Sequence, residues 1–229
     1  MARDGAVKAE LNEQFARIGK ALSAPRRLEL LDLLAQGERS VEELATETHM
    51  SVGLASAHLQ ALRRARLVET RRDHSRIFYR LAGDDVYRLL ASLRTVACER
   101  LADVQLIAQT YLGAADGFEA VSRDDLLGRL RARSVTVIDV RPLREYAAGH
   151  IPGALSIPVD ELEARLAEIS RGTSIVAYCR GPFCLYAPTA VTALRRRGFQ
   201  AQRLEDGFPE WRLAGFPVAT GPAQSPPAP

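Results

Sequence analysis

Hydrophobic residues in the first half of the chain recur at helical spacing, with one short interruption. A first helix is predicted with one apolar face made of Leu11, Phe15, Ile18 and Leu22. A leucine-rich run then predicts a second helix, because Pro25 suits a first helical turn and Gly37 suits a helix end. Strands are not indicated before residue 67.

Two serines predict the starts of the next two helices. Ser40 with Glu43 three residues later forms a capping-box pattern, and Ser51 precedes a longer helix that runs to about Ala65. This longer helix is predicted to bury Val52, Ala55, Leu59 and Leu62. Its other face carries small, amide and cationic side chains, which fit a major groove and the flanking phosphates. These side chains are Gly53, Ser56, Ala57, Gln60, Arg63 and Arg64.

A β-hairpin and a long helix follow. Residues 67–81 alternate strand-forming side chains around a charged tip at 72–76, which predicts two antiparallel strands. A last helix is predicted from Asp84 to about Leu112. It carries more apolar side chains than one small core can bury, so we expect it to pair with a second subunit.

The second half alternates short apolar strands with helices, which predicts a parallel α/β sheet. Strands are expected at 135–140, 154–157, 174–178 and 201–204, with helices beginning at Ser122 and spanning 160–170 and 185–197. The chain is therefore interpreted as multidomain, with a mainly α domain at 1–112 and an α/β domain at 119–218. A small-residue linker joins them at 113–118, and a proline-rich disordered tail occupies 219–229.

Charge and cysteine content narrow the class of protein. Residues 54–80 hold seven arginines against Glu69 and Asp73, a footprint that suits phosphate, although a solvated arginine-rich face is the plainer interpretation. Three cysteines are too few for a disulfide-built secreted fold. We see no signal peptide and no membrane-length apolar run, so a cytoplasmic protein without a membrane partner is expected.

The first half resembles the arsenical-repressor (ArsR-like) family. The resemblance rests on the run from Leu22 to Leu31, the run from Ser51 to Leu62 and the pair Leu67-Val68. It implies a homodimeric winged helix-turn-helix that binds double-stranded operator DNA and represses transcription until an inducer binds. The residues expected to contact DNA are Ser51, Ser56, Gln60, Arg63 and Arg64 in the groove, with Arg72 and Arg76 in the wing. Arg66 departs from the glycine common at this position, which predicts mild backbone strain.

A metal sensor is not expected. Some metal-binding relatives use cysteines in the helix before the recognition helix, but segment 41–48 has none. Others use histidines on the last helix, but segment 84–112 has none. Cys98 is then either a small buried residue or a redox-responsive thiol at the dimer seam.

The loop from Cys179 to Cys184 carries the candidate chemistry of the second half. A cysteine between a strand and a helix N-terminus receives backbone N–H groups and a partial positive charge, which lower a thiol pKa. Arg180 is expected to add a full charge, and Gly181 with Pro182 to form a tight cradle. Leu185 occupies the position where related phosphatases and arsenate reductases need an arginine, which argues against both activities.

The motifs around this loop resemble a single-domain rhodanese. They are the runs 139–146, 149–154, 178–181 and 207–218. The resemblance implies that Cys179 takes a sulfane sulfur from a donor as a persulfide and passes it to a thiol acceptor, without a cofactor. The substrate-binding loop would be Arg180, Gly181, Pro182, Phe183, Cys184 and Leu185. Asp139, Arg141, Glu145 and His150 are expected to be structural.

Two interpretations of the whole chain remain open. In the first, a dimeric transcriptional repressor uses Cys179 to couple reactive sulfur or redox state to DNA affinity. In the second, the chain is a working sulfurtransferase whose DNA-binding half only autoregulates its expression. Cys184 either attacks a Cys179 persulfide or packs beneath Phe183.

Overall fold

The computed structural model describes residues 2–111 and 120–222, and the chain divides into two compact units, Met1–Ala91 and Ser92–Pro229. The division falls inside the helix Asp84–Arg100. The predicted linker at 113–118 lies outside the described residues, as does most of the predicted tail, so both stay predictions. None of the described helices combines the length and the apolar character needed to cross a membrane.

The first unit has the helix, turn, helix and hairpin order predicted for a winged helix. Its elements are α1 (Ala2–Leu22), α2 (Pro25–Ala35), β1 (Arg39–Ser40), α3 (Val41–Glu47), α4 (Val52–Arg64), β2 (Val68–Asp73), β3 (Arg76–Leu81) and the start of α5 (Asp84–Arg100). The strands form an antiparallel sheet in the order β1-β3-β2. The two-residue strand β1 was not predicted, because such a short strand shows no alternation in the sequence.

The predicted helix starts in this unit are confirmed. Ser40 Oγ accepts the Glu43 N–H at 3.3 Å, and the Glu43 carboxylate accepts the Ser40 N–H at 2.8 Å, which completes the capping box. Ser51 Oγ accepts the Leu54 N–H at 3.3 Å at the start of α4. Both side chains satisfy backbone donors that a helix N-terminus leaves free.

The core of the first unit lies between α2, α3, α4 and α5. Its most deeply buried side chains include Leu30, Leu31, Leu44, Ala55, Leu59 and Leu62. The predicted burial of Val52 is wrong, because the side chain is 48% exposed. Val52 is the first residue of α4, one turn before the buried Ala55, and therefore lies beyond the edge of a small core.

The predicted long helix after Asp84 is also corrected, because it is interrupted. Helix α5 ends at Arg100, and α6 (Ala102–Tyr111) begins after Leu101. The Gln105 side-chain amide donates to the Cys98 carbonyl at 2.9 Å across this break. A side chain thus satisfies a backbone carbonyl near the end of α5. Apolar residues keep their helical spacing across such a short interruption, so the sequence pattern cannot reveal it.

The second unit contains a four-stranded parallel sheet in the order β5-β4-β6-β7. Its elements are α7 (Arg123–Arg131), β4 (Val135–Asp139), α8 (Leu143–Ala148), β5 (Leu155–Ser156), β6 (Ser174–Tyr178), α9 (Tyr186–Arg196), β7 (Ala201–Arg203) and α10 (Phe208–Leu213). Successive strand residues point into two separate cores. Ile175 and Ala177 pack with α9, whereas Val176 and Tyr178 pack with residues of α7, α8 and α10.

The helix predicted at 160–170 is wrong. This segment forms a series of turns and one short 3₁₀-helix, Leu166–Glu168. The Arg165 guanidinium bonds the Ser156 carbonyl and the carboxylates of Glu161 and Glu168. These contacts hold the segment against the end of β5 in place of a regular helix. The apolar spacing was compatible with both forms.

The strain predicted at Arg66 is present. Arg66 has a φ of 59°, and its neighbour Leu67 donates its N–H to the Leu62 carbonyl at 3.0 Å, which is the Schellman pattern of a helix end. A left-handed conformation costs a residue with a Cβ roughly 1–2 kcal/mol.

We therefore expect Arg66→Gly to raise the free energy of unfolding by about 1 kcal/mol, measured by urea denaturation. Arg63→Gly is the matched control, because Arg63 lies within α4 and the same replacement there should destabilise by up to about 1 kcal/mol. An Arg66→Gly protein that is no more stable than the wild type would contradict the strain.

Candidate functional site

The buried carboxylate of Asp139 organises the carboxyl edge of the parallel sheet. Its Oδ1 accepts hydrogen bonds from the Arg141 backbone N–H at 3.0 Å and from Arg141 Nε at 2.9 Å. Its Oδ2 accepts the Tyr178 hydroxyl at 2.6 Å. Asp139 ends β4 and Tyr178 ends β6, so the network joins the two strands immediately before Cys179.

Arg141 extends the network to neighbouring loops. Its Nη2 donates to the Gly149 carbonyl at 2.7 Å, and its guanidinium carbon lies 4.4 Å from the centre of the Phe208 ring. Burial lowers the pKa of Arg141, but the charge of Asp139 and the hydrogen bonds to it have the larger combined effect and raise the pKa above its ordinary value. The guanidinium therefore stays charged inside the core.

Cys179 follows β6 directly, and its loop leads into α9. The side chain is 3% exposed, and its Sγ lies 3.8 Å from the Gly181 carbonyl oxygen and 3.6 Å from that of Cys184. Gly207 backs the loop, because a Cβ there would lie 2.3 Å from the Gly181 nitrogen. The next residue, Phe208, donates its N–H to the Cys179 carbonyl at 3.1 Å. Close backbone packing thus shapes the loop from behind.

Cys179 and Cys184 lie close together in the loop, with the Cys179 Sγ 3.6 Å from the Cys184 carbonyl oxygen. The backbone N–H groups of Gly181 and Ala187 act to lower the pKa of Cys179, as its position before a helix predicted. Burial nevertheless has the larger effect and, together with the neighbouring Cys184, raises the pKa of Cys179 well above its ordinary value. The expectation of a lowered Cys179 pKa is therefore wrong for this arrangement of the loop.

The lowered pKa belongs to Cys184. A hydrogen bond with Cys179 lowers the pKa of Cys184 to about 7, against an opposing effect of burial. The backbone N–H groups of Tyr186 and Arg180 and the charge of Arg180 act in the same direction as the Cys179 bond. Near neutral pH, a substantial fraction of Cys184 is therefore thiolate. The sequence left Cys184 between two interpretations, and the fold brings its backbone carbonyl oxygen to 3.6 Å from the Cys179 sulfur.

The expected free charge of Arg180 is also corrected. Arg180 Nη2 donates to Glu145 Oε1 at 2.6 Å, and its Nε lies 3.0 Å from the same oxygen. The Glu145 carboxylate is 1% exposed, so a buried counter-ion balances much of the arginine charge. The two residues are 35 positions apart, and no local pattern in the sequence indicates their pairing.

The remaining loop residues form the mouth of the site. Gly181 and Pro182 are half-buried, whereas Phe183 and Leu185 are 43% and 47% exposed. Cys98 is half-buried on α5, and all three cysteines are free thiols. Within the part of the chain that the structure describes, no group of three His, Cys, Asp or Glu side chains is arranged to hold a metal ion.

His150 has structural contacts of the kind expected from the sequence. Its Nδ1 lies 2.8 Å from the Tyr146 carbonyl oxygen, and its ring stacks on the Tyr146 ring with the centres 3.6 Å apart. The imidazole is buried and lies within the loop region after α8.

The predicted DNA-contacting residues of α4 do not all face solvent. Arg63 and Arg64 are exposed, and Ser56 is half-buried. Ser51 uses its Oγ as the helix cap. The Gln60 amide nitrogen donates to the Tyr79 hydroxyl at 3.1 Å on β3, so this side chain is turned toward the hairpin. The Gln60 amide is therefore engaged in a hydrogen bond within the domain.

The hairpin presents its charge unevenly. Arg71 pairs with Glu38 at 2.7 Å, and Arg80 pairs with Glu69 at 2.7 Å, so two of the arginines counted in the basic patch are compensated. The predicted wing residues Arg72 and Arg76 are both exposed near the hairpin turn. The positive charge available to a partner is concentrated at this turn and at the end of α4.

Two apolar residues on the exposed side of α4 were not predicted from the sequence. Val52 and Leu54 are 48% and 47% exposed at the first turn of the helix. Apolar contacts of this kind read the thymine methyl group in a major groove. Their position next to the Ser51 cap was the available signal.

Comparison with known proteins assigns both halves of the chain. The family described as "Bacterial regulatory protein, arsR family" matches residues 24–70, and the rhodanese-like domain family matches residues 122–214. The HTH-type transcriptional regulator Rv0324 of Mycobacterium tuberculosis is 53% identical over 221 residues, which cover 96% of this chain and 97% of that protein. The chain belongs to the ArsR family of transcriptional regulators. It carries a rhodanese domain after the winged helix-turn-helix.

Other relatives match one half of this ArsR-family chain. The biofilm growth-associated repressor of Agrobacterium fabrum is 44% identical over 85 residues, 37% of this chain and 73% of that protein. A solved homodimeric winged helix-turn-helix DNA-binding domain from Mycobacterium bovis is 56% identical, with a TM-score of 0.40, over 42% of this chain and 89% of that one. A rhodanese-related protein from Thermoplasma volcanium is 25% identical, with a TM-score of 0.41, over 44% of this chain and 98% of that one.

We expect Arg141→Met to lower the free energy of unfolding of the rhodanese domain by about 3–5 kcal/mol, because it leaves the buried Asp139 carboxylate uncompensated. Urea denaturation of the full chain measures the change. Arg197→Met is the control, since it breaks the exposed pair with Glu163 and should cost less than about 1 kcal/mol. Equal effects of the two variants would contradict the role of the buried pair.

We expect Cys184 to be alkylated by iodoacetamide with a midpoint near pH 7, read at the peptide level by mass spectrometry. Cys179→Ala removes the hydrogen-bonding thiol, so the midpoint should rise toward about 8.5, the value of an ordinary cysteine. Cys179→Ser retains a donor and should keep most of the lowered value. An unchanged midpoint in Cys179→Ala would show that the Cys179 side chain does not set the Cys184 pKa.

Proposed function

We propose that this regulator represses transcription as a homodimer and that the sulfur state of Cys179 controls its DNA affinity. The observation that carries the proposal is the loop that holds Cys179 and Cys184 together, with the Cys179 Sγ 3.6 Å from the Cys184 carbonyl oxygen and Gly207 packed behind it, in the same chain as an ArsR-family winged helix. A regulator needs no such cysteine pair for DNA binding. The pair therefore supports sensing of reactive sulfur.

The proposed reaction transfers one sulfur atom. The Cys179 thiolate attacks the outer sulfur of a sulfane-sulfur donor and forms a new S–S bond. The donor S–S bond breaks, and its electron pair leaves with the rest of the donor. A thiol acceptor then attacks the outer sulfur of the persulfide and receives it, and Cys179 is released as a thiolate.

Cys184 supplies the proton acceptor in this proposal. Its pKa of about 7 suits general-base action at neutral pH, and its backbone carbonyl oxygen lies 3.6 Å from the Cys179 sulfur, so the two residues are close together. Proton transfer from Cys179 to Cys184 produces the attacking thiolate at the buried position. The exposed Phe183 and Leu185 side chains then flank the path of the donor.

The DNA contacts proposed from the structure differ in three residues from the set predicted from the sequence. Ser51, Ser56, Arg63 and Arg64 on α4, with Arg72 and Arg76 in the hairpin, are kept as contacts to double-stranded operator DNA. Gln60 is left out because its amide bonds Tyr79. Val52 and Leu54 are added for thymine methyl groups.

The proposed homodimer rests on exposed apolar side chains. They lie on α1, α5 and α6 and include Leu11, Phe15, Leu89, Leu93, Val96, Leu106 and Ile107. Exposed apolar side chains favour an interaction with a partner, and the ArsR resemblance implies a second copy as that partner. Cys98 lies on α5, which carries several of these side chains, and it is retained as a candidate redox residue.

The experiment compares wild type, Cys179→Ser and Cys98→Ser on DNA from the protein's own promoter region, before and after polysulfide treatment. We expect treatment to weaken wild-type binding by about 5- to 150-fold, the range of typical allosteric coupling. Cys179→Ser should show no change, and Cys98→Ser should respond like the wild type. Mass spectrometry of the same samples should find the persulfide on Cys179.

Weakening of DNA binding in polysulfide-treated Cys179→Ser to the same extent as in the wild type would reject the sensing proposal. Cys179-dependent turnover of a sulfane donor without any change in DNA affinity would instead support the sulfurtransferase interpretation. The two outcomes are distinguishable because one is measured as DNA affinity and the other as formation of the sulfur product.

A further inference from the structure

A basic cavity lies between three helices of the winged-helix unit, apart from the cysteine loop. It has a volume of about 320 Å³. Its walls are the end of α1, the first turn of α2 and the end of α4, contributed by Arg17, Lys20, Ala21, Arg27, Ala61, Arg64 and Ala65. The lining thus contains four cations, three alanines and no carboxylate.

The hydrogen bonds around the cavity leave the positive charges uncompensated. Arg27 Nε donates to the Ala21 carbonyl at 2.5 Å, and its Nη2 donates to the Lys20 carbonyl at 2.7 Å. Arg17 Nη1 bonds the Gln14 side-chain oxygen at 2.7 Å. These partners are neutral groups, so they hold the guanidinium groups in place without cancelling their charge. A fixed concentration of positive charge of this kind attracts anions.

The cavity continues the exposed face of α4. Ala61, Arg64 and Ala65 lie one and two turns beyond Ala57, which faces solvent on the side assigned to the groove. Helix α4 has 13 residues and is therefore about 20 Å long. A B-DNA major groove is only about 12 Å wide, so a helix whose first turn contacts bases has its end near the sugar-phosphate backbone.

We infer that this cavity binds a phosphate-type oxyanion, and that its source is a backbone phosphate of the bound DNA duplex. Arg17 and Lys20 on α1 and Arg27 on α2 then belong to the DNA interface, outside the recognition helix and the wing. This assignment rests on the proposed binding mode of α4. The same chemistry would accept a free phosphate or sulfate, and the two sources require separate measurements.

The test uses the full chain with Arg17→Gln and Lys20→Gln combined, which leaves all residues of α4 and the hairpin intact. Lys8→Gln combined with Arg88→Gln is the matched control, because it removes the same charge from exposed positions on α1 and α5. Binding to a labelled mixed-sequence DNA duplex is measured by fluorescence anisotropy at a series of NaCl concentrations. Thermal unfolding is measured in phosphate and in chloride at equal ionic strength.

We expect the slope of log K against log salt to become shallower by about 0.9 for each phosphate contact that the Arg17→Gln and Lys20→Gln protein loses. The control should keep the wild-type slope. We also expect phosphate to raise the unfolding temperature of the wild type and of the control by more than that of the cavity variant, which keeps only the general stabilising effect of the excluded anion.

A slope unchanged by Arg17→Gln and Lys20→Gln would overturn the DNA assignment, even if the phosphate effect on unfolding were lost. If the cavity variant keeps both the wild-type salt slope and the wild-type phosphate effect on unfolding, the oxyanion site itself is rejected. A wild-type protein that binds no duplex would contradict the proposed function instead, and the unfolding measurement would still decide whether the cavity binds phosphate.

Discussion

The buried ion pair of Asp139 and Arg141 is the interaction on which the rhodanese domain depends. A carboxylate and a guanidinium inside a core each carry a large desolvation cost, which only close mutual contact and further hydrogen bonds offset. Here the Tyr178 hydroxyl and the Gly149 carbonyl complete the set. Because Tyr178 directly precedes Cys179, the geometry of the pair also determines where the Cys179 sulfur lies.

A second layer of contacts shapes the loop that follows Cys179. The backbone of Gly207 approaches the cysteine loop so closely that a methyl group cannot be placed between them. Glu145 takes up the charge of Arg180 from the other side. The cysteine loop is therefore held by the packing of distant segments, and its two thiols are brought together with unequal burial. Burial keeps one protonated, and hydrogen bonds favour ionisation of the other.

The winged-helix unit also contains a buried arginine, Arg39, which pairs with Glu47 beside an otherwise mainly apolar core. Its other charged residues are sorted by their partners on the surface. Arginines such as Arg71 and Arg80 are compensated by carboxylates, whereas those at the hairpin turn and at the end of α4 face outward. A patch that looks uniformly basic in the sequence is thus divided by the fold into structural and available charges.

The sequence by itself determined the family of each half, the helix caps at Ser40 and Ser51, the parallel sheet and the strain at Arg66. These features depend on residues that are close together in the chain, where spacing and side-chain type are sufficient. Only the tertiary structure decided the break at Leu101, the turns at 160–170, the exposure of Val52 and the inward contact of Gln60. It also decided that Cys184, and not Cys179, has the lowered pKa. Burial and pairing across tens of residues set these properties, and no local pattern carries that information.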